Sequence, residues 1–212
     1  MSHTASFHSN ERIAPSNRGI KHLGLAYAKG EGVTKDVPRA MAYFEGACNE
    51  GNAFGCSSLG VAYTLGDGIR PDPTRARALF EKACAGGDAN GCYNLGVVHR
   101  DGLGVEADPV RAVALYEQAC AAKDALACGN LARLLQSGTG TAKDPARAAE
   151  LFDTACDLND AGACLELGRV QQAGLGVRRD PTLAAASYRR ALTLDPGLAA
   201  ARRALASLDP SL

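Results

Sequence analysis

Residues 91–126 read GCYNLGVVHRDGLGVEADPVRAVALYEQACAAKDAL, and residues 127–162 read ACGNLARLLQSGTGTAKDPARAAELFDTACDLNDAG. The two stretches abut, have the same length, and carry leucine, Gly-x-Gly, Asp-Pro and Ala-Cys at the same places. The frame extends in both directions without insertions and divides the chain into five units: 19–54, 55–90, 91–126, 127–162 and 163–198. A fixed period of about 36 residues is the signature of stacked repeats, so the sequence predicts a solenoid.

Each unit predicts two helices. A glycine ends the first helix, because glycine tolerates the left-handed backbone found just beyond a helix C-terminus. An Asp-Pro pair begins the second helix in four units, since aspartate caps free N–H groups and proline suits the first helical position. The predicted fold is all-α: a right-handed α-solenoid of helix-turn-helix repeats. We expect a flexible lead-in at residues 1–18 and a capping helix at residues 199–212.

Composition narrows the possible functions. Lysine plus arginine equals aspartate plus glutamate, at 23 each, so the chain lacks the basic surplus of a nucleic-acid-binding protein. It has no apolar run long enough to span a membrane, and no signal peptide is visible at its N-terminus. His3, His8, His22 and His99 follow no metal-ligand spacing. We therefore expect a monomer that uses no cofactor and no metal, binds no nucleic acid and inserts into no membrane.

The recurring frame LGxxYxxGxGVxxDxxxAxxxFxxAC resembles the Sel-1-like repeat, a relative of the tetratricopeptide repeat, over residues 19–198. With its paired cysteines the chain also resembles the helical cysteine-rich protein (Hcp) family. The resemblance implies a scaffold that binds a peptide or protein partner in a concave groove. It also implies an alternative, a weak β-lactam-binding or β-lactam-hydrolysing enzyme. Against the enzyme, no serine is followed by lysine three residues later, and no Lys-Thr-Gly occurs, so we predict no catalytic residue.

The eight cysteines form four evenly spaced pairs: Cys48 and Cys56, Cys84 and Cys92, Cys120 and Cys128, Cys156 and Cys164. Each pair spans the turn between one unit and the next, where antiparallel helices can bring two cysteines within disulfide distance. Where the array ends, Leu192 and Ala200 replace both members of a pair together. We prefer disulfides, with buried reduced thiols and zinc as alternatives. Disulfides would stiffen the joints and indicate a periplasmic or secreted protein.

The resemblance to tetratricopeptide solenoids places the first helix of each unit along the concave groove. One position in that helix runs from apolar to basic along the array, as Leu25, Val61, Val97, Arg133 and Arg169. This order favours a peptide with a hydrophobic segment followed by an acidic segment or a free carboxylate. The predicted groove residues are Leu25, Lys29, Val61, Tyr93, Val97, Arg100, Arg133, Gln136, Arg169 and Gln172, with Tyr93 and Arg100 as the first anchors.

Overall fold

The structure is a computed structural model that describes residues 17–66 and 69–208. Most of the predicted lead-in and the last residues of the predicted cap lie outside this range. The described residues form α-helices joined by turns, and none of them forms a strand. The helices are α1 (Asn17–Lys29), α2 (Val37–Asn49), α3 (Ala53–Leu65), α4 (Pro73–Ala85), α5 (Ala89–Asp101), α6 (Pro109–Ala121), α7 (Ala125–Ser137), α8 (Pro145–Asp157), α9 (Ala161–Ala173), α10 (Pro181–Leu194) and α11 (Ala199–Leu208).

The second helix of each unit begins where the sequence predicts it. The Asp72 side chain accepts a hydrogen bond from the backbone N–H of Arg75, and Pro73 is the first residue of α4. Asp108, Asp144 and Asp180 cap α6, α8 and α10 in the same way. Each cap satisfies a backbone donor that has no partner within the helix, so the Asp-Pro pair fixes the register of the second helices.

Glycine ends the first helix of all five units, and Gly30 follows α1 with φ 76°. Gly66, Gly102, Gly138 and Gly174 follow α3, α5, α7 and α9 with φ between 70° and 80°, in the left-handed region. In each, the glycine N–H donates to the carbonyl four residues earlier. The chain can therefore turn at once into the short loop that leads to the next Asp-Pro pair.

The core consists of aromatic side chains from the second helices packed against small residues of the first helices. The aromatic residues are Phe44, Phe80, Tyr116, Phe152 and Tyr188, none more than 5% exposed. A Cβ added at Gly96 would lie 2.6 Å from Cε1 of Tyr116, and Gly24, Gly60 and Gly168 face their own aromatic ring in the same way. The glycine therefore lets the two helices of a unit approach closely.

The two ends of the array differ. One continuous hydrophobic cluster runs from α4 to α11, whereas α1, α2 and α3 share a separate cluster around Ala40, Phe44 and Leu59. At the C-terminal end α11 packs on α10 and α9, and Leu198, Leu205 and Leu208 lie against the core. At the other end Leu23 is 38% exposed, although its equivalents in the later units are buried. Within the described part of the chain, no helix is long and apolar enough to cross a membrane.

Candidate functional site

Four disulfides join the units. They link Cys48 to Cys56, Cys84 to Cys92, Cys120 to Cys128 and Cys156 to Cys164, with Cα–Cα distances of 4.4–4.7 Å. In each, the last turn of a second helix is bonded to the first turn of the next unit's first helix. The turn between them needs one residue with positive φ, which is Gly51, Gly87, Lys123 or Asn159. Each joint is thus a short, covalently closed helical hairpin.

An apolar pocket lies on the face of the first helices at the N-terminal end of the array. It has a volume of about 380 Å³. Leu25 and Lys29 of α1, Val61 of α3 and Met41 and Phe44 of α2 are among its lining residues. We call this cavity the N-terminal pocket. Three predicted groove residues thus lie around one cavity, and the contributions of α2 were missed because they come from the outer layer of helices.

In the middle of the predicted groove, the half-buried Tyr93 and an arginine–aspartate pair lie on α5, above the buried Tyr116 of α6. Tyr93 of α5 lies with its ring centroid 6.0 Å from that of Tyr116. Arg100 donates from Nε and Nη2 to the two carboxylate oxygens of Asp101, at 2.7 and 2.8 Å. This bidentate pair lowers the pKa of Asp101 and raises that of Arg100. Arg100 is therefore already bonded to a carboxylate of its own helix.

Tyr116 carries a buried hydroxyl that no described residue hydrogen-bonds. Burial raises the pKa of this phenol, because the phenolate would lose its hydration. The equivalent Tyr188 donates its hydroxyl hydrogen to Oε1 of Gln172, at 2.7 Å. In unit three the residue at the position of Gln172 is Arg100, which has no acceptor atom to offer. Arg100 therefore cannot accept the hydroxyl hydrogen of Tyr116 as Gln172 accepts that of Tyr188.

The C-terminal part of the groove is less basic than the sequence suggests. Arg169 is paired with Glu166 of the same helix, with Nη1 2.8 Å from Oε1. Arg133 donates to Oδ1 of Asn130, and its guanidinium lies 6.0 Å from the ring centroid of Phe152. No described carboxylate forms an ion pair with Arg133. Of the three predicted groove arginines, Arg133 is thus the one without an ion pair to a described residue, although the Asp160 carboxylate lies near its guanidinium.

The two glutamines among the predicted groove residues are half-buried. Gln172 uses its side-chain oxygen to accept from Tyr188, and its backbone oxygen accepts from Nε of Arg179. Gln136 occupies the same repeat position in α7, where the second helix offers Phe152 instead of a tyrosine. Gln172 therefore has an internal structural partner in its own unit, whereas the equivalent ring in the unit of Gln136 has no hydroxyl to donate.

His99 is packed between helices, away from the groove residues. It is 5% exposed, and neither ring nitrogen has a hydrogen-bond partner among the described residues. Burial and the nearby Arg111 lower its pKa. In unit two the same position holds Tyr63, whose hydroxyl accepts from Nη1 of Arg75. The histidine thus occupies a tyrosine site, and nowhere in the described chain do three potential metal ligands lie together.

The N-terminal pocket contains hydroxyl and amine groups, which bear on the hydrolase alternative. The Ser57 hydroxyl donates to the backbone oxygen of Phe54, at 3.1 Å, and Nζ of Lys29 lies 3.5 Å from Oε1 of Glu31. Both groups are thus engaged with neighbours in their own part of the chain. A wider recess of about 730 Å³ lies at the loop between α1 and α2, lined by Tyr27, Arg39 and backbone-rich segments.

Paired helices with a covalent joint between successive pairs define a helical-repeat scaffold. The Sel1 repeat model matches five consecutive stretches of the chain: 20–52, 53–88, 89–124, 125–160 and 161–195. The chain therefore belongs to the Sel1 repeat family. The predictions of an all-α solenoid and of Sel1-type repeats are confirmed, with the family units starting two residues before the sequence frame from the second unit onward.

The chain is similar to several solved structures. A protective antigen of uropathogenic Escherichia coli strains, which displays an SLR fold, is 26% identical to this chain with a TM-score of 0.81. The matched region includes 91% of this chain and 41% of the E. coli chain. A Sel1 repeat protein from Oxalobacter formigenes is 24% identical with a TM-score of 0.81, and the matched region includes 92% of this chain and 76% of the Oxalobacter chain. Helicobacter pylori cysteine rich protein B is 26% identical over 82% and 98%, with a TM-score of 0.29.

This chain thus spans less than half the length of the E. coli protein. No curated protein matches it.

Proposed function

We propose that this chain is a non-catalytic scaffold that binds a peptide or protein partner along the face formed by its first helices. The observation that carries the proposal is the N-terminal pocket, a cavity of about 380 Å³ in which Leu25, Val61 and Met41 leave apolar surface open. Its volume lies at the lower end of the range for ligand pockets, which suits a few side chains of a larger partner. Apolar surface open to water is a common mark of an interaction site.

The disulfides support a rigid scaffold. Each closes a loop of about nine residues, for which the chain-entropy model gives about 2–3 kcal/mol of stabilisation. The bonded joints lie between units, so they restrain the angle at which one unit stacks on the next. A preformed groove loses less conformational entropy when a partner binds, which favours affinity. Because such bonds persist in oxidising compartments, they also support a periplasmic or secreted location.

Peptide selection on the pure protein tests the proposal. A library of random peptides displayed on phage is selected on the full chain with its disulfides intact. We expect enriched peptides whose binding weakens at least tenfold in Val61→Lys, because a lysine placed in the apolar pocket must either lose hydration or fill the cavity. Leu25→Lys serves as a second pocket variant on a different helix, in case the first disturbs the packing of α3.

Val110→Lys is the matched control, because Val110 is 66% exposed on α6 and does not line the pocket. Binding by this control should stay within about twofold of the unmodified chain. Peptides that bind all four proteins equally, or a selection that enriches none, would contradict a binding role for the face of the first helices. The hydrolase alternative has its own test: turnover of the chromogenic β-lactam nitrocefin that disappears in a pocket variant.

A further inference from the structure

Building on the proposed function, we propose that the groove binds an extended peptide in which an apolar side-chain cluster and a carboxylate lie about six residues apart. The apolar cluster enters the N-terminal pocket, and the carboxylate pairs with Arg133. Three features of the structure support this inference: the location of the pocket, the existing ion pairs of the groove arginines, and the distance between the pocket and Arg133.

The site for the apolar side chains of the peptide lies between equivalent positions of two units. Leu25 and Val61 occupy the same position in α1 and α3, and both line the N-terminal pocket. Met41 and Phe44 of α2 also line it. In α5 the same position holds Val97, which packs against the core and is only partly buried. The apolar surface is therefore deepest between α1 and α3 and becomes a shallow floor over α5.

The site for the carboxylate of the peptide follows from a comparison of the partners that the three groove arginines already have. Arg100 is bonded through two nitrogens to Asp101, and Arg169 through one to Glu166. Arg133 forms no ion pair with a described residue: it donates to the neutral Asn130, and its guanidinium lies 6.0 Å from the ring centroid of Phe152. The nearby Asp160 carboxylate caps α9 without pairing with Arg133. It occupies the same repeat position as Leu25 and Val61, so it lies on the same face as the pocket. Arg133 is therefore the place on this face where a ligand carboxylate gains an ion pair without displacing an existing one.

The spacing between the two sites comes from the repeat geometry. The pocket lies at α3, and Arg133 lies on α7, two first helices further along the array. Neighbouring first helices lie at least one helix diameter apart, about 10–12 Å, so the two sites are separated by at least about 20 Å. An extended chain covers about 3.3 Å per residue, and about six residues therefore bridge the gap.

An extended ligand fits the groove better than a helical one. Tyr93 stands on α5 at the position that holds Ser57 in α3 and Gly129 in α7. Its half-buried ring therefore raises the floor of the groove midway between the two sites. A helical ligand is about 10 Å wide and needs about 13 residues to span the same 20 Å. The two possibilities therefore predict different spacings in the selected sequences.

The inference is tested by sequencing the selected peptides. The library consists of peptides of roughly 16 residues, which can hold either the extended spacing of about six residues or the helical spacing of about 13. Peptides that need the pocket should carry an apolar cluster with aspartate, glutamate or the terminal carboxylate about five to seven residues away. Synthetic fluorescein-labelled copies are then titrated against two matched neutralising variants, Arg133→Gln and Arg169→Gln. Both side chains are exposed, so neither change should disturb folding, and thermal melting of each variant verifies this.

We expect Arg133→Gln to weaken binding about tenfold, since it removes a charge-assisted hydrogen bond, and Arg169→Gln to weaken it less than about twofold. Equal losses in the two variants, a spacing near 13 residues, or pocket-dependent peptides without an acidic group would each overturn this inference and leave the scaffold function intact. A selection with no pocket-dependent peptide would overturn both.

Discussion

Replacement of tyrosine by phenylalanine should have opposite effects on the stability of the fold at Tyr116 and at Tyr188, which occupy the same repeat position. Tyr116 and Tyr188 are both fully buried, but only the hydroxyl of Tyr188 has a partner, Oε1 of Gln172. A buried hydroxyl without a partner costs about 1–3 kcal/mol, whereas a typical satisfied hydrogen bond contributes a net of about 1 kcal/mol. Tyr116→Phe should therefore stabilise the fold by about 1 kcal/mol after the small loss of packing, and Tyr188→Phe should destabilise it by about 1 kcal/mol.

The measurement is urea unfolding with the disulfides intact, comparing midpoints between variants whose m-values agree. The difference of about 2 kcal/mol between the variants corresponds to roughly 4–8 °C in melting temperature for a chain of this size. Phenylalanine fits the site, because Phe44, Phe80 and Phe152 occupy the equivalent position in other units. A Tyr116→Phe variant that is as destabilised as Tyr188→Phe would refute the claim that the Tyr116 hydroxyl is unpaired.

Arg100→Gln is the matching control, because it gives Tyr116 the acceptor that Tyr188 has in Gln172. The loss of the Arg100–Asp101 pair is common to both backgrounds, so Arg100→Gln should favour stability by about 1 kcal/mol more when Tyr116 is present than when phenylalanine replaces it. A double-mutant cycle measures that coupling directly, and we expect it to be about 1 kcal/mol. A coupling near zero would mean that the groove position does not contact the hydroxyl.

Two further predictions concern the joints and the buried histidine. Under denaturing, non-reducing conditions the intact mass should be about 8 Da below that of the all-thiol chain, because four disulfides remove eight hydrogens; eight alkylatable thiols in the freshly purified protein would contradict the oxidised joints. Burial lowers the pKa of His99 in the folded state, so the unfolded chain takes up a proton first and stability falls as the pH drops below about 6.5, by up to about 1.4 kcal/mol per pH unit. His99→Leu, which introduces the residue type that Leu135 supplies at the equivalent position, should show a shallower loss of stability between pH 6.5 and 5 in the same urea assay, and an unchanged slope would remove His99 as its cause.

The helices were predictable from sequence because their signals are local. Asp-Pro and glycine set the ends of helices through the backbone of a few residues, and each acts in the structure as the sequence indicates. The caps of the first helices, Asn52, Asp88, Asp124 and Asp160, were not predicted. Their signal was visible, since an asparagine or aspartate precedes each of those helices at a fixed place in the repeat.

The sequence predicts which residues lie on the face of the first helices, but not their ion pairs or hydrogen bonds. These depend on contacts with residues that differ from one unit to the next. The frame gives the order Leu25, Val61, Val97, Arg133 and Arg169, but it cannot show that Glu166 neutralises Arg169. It also cannot show that Arg100 donates to Asp101 while the Tyr116 hydroxyl stays unpaired. A single departure from the repeat consensus changes the hydrogen bonding of a neighbour on another helix. Rotamers and pairings of that kind follow from packing and not from periodicity.

The short span of each disulfide bears on how an array like this can change its length. Partner cysteines are separated by 8 residues, far less than one repeat, and no bridge connects units that are not adjacent. Duplication or deletion of an internal unit, such as 55–90, therefore adds or removes cysteines two at a time. Every remaining thiol keeps its partner at the same distance along the chain, so nearest-neighbour pairing stays favoured during oxidative folding. The number of units can thus change in evolution or by design without leaving an orphan cysteine.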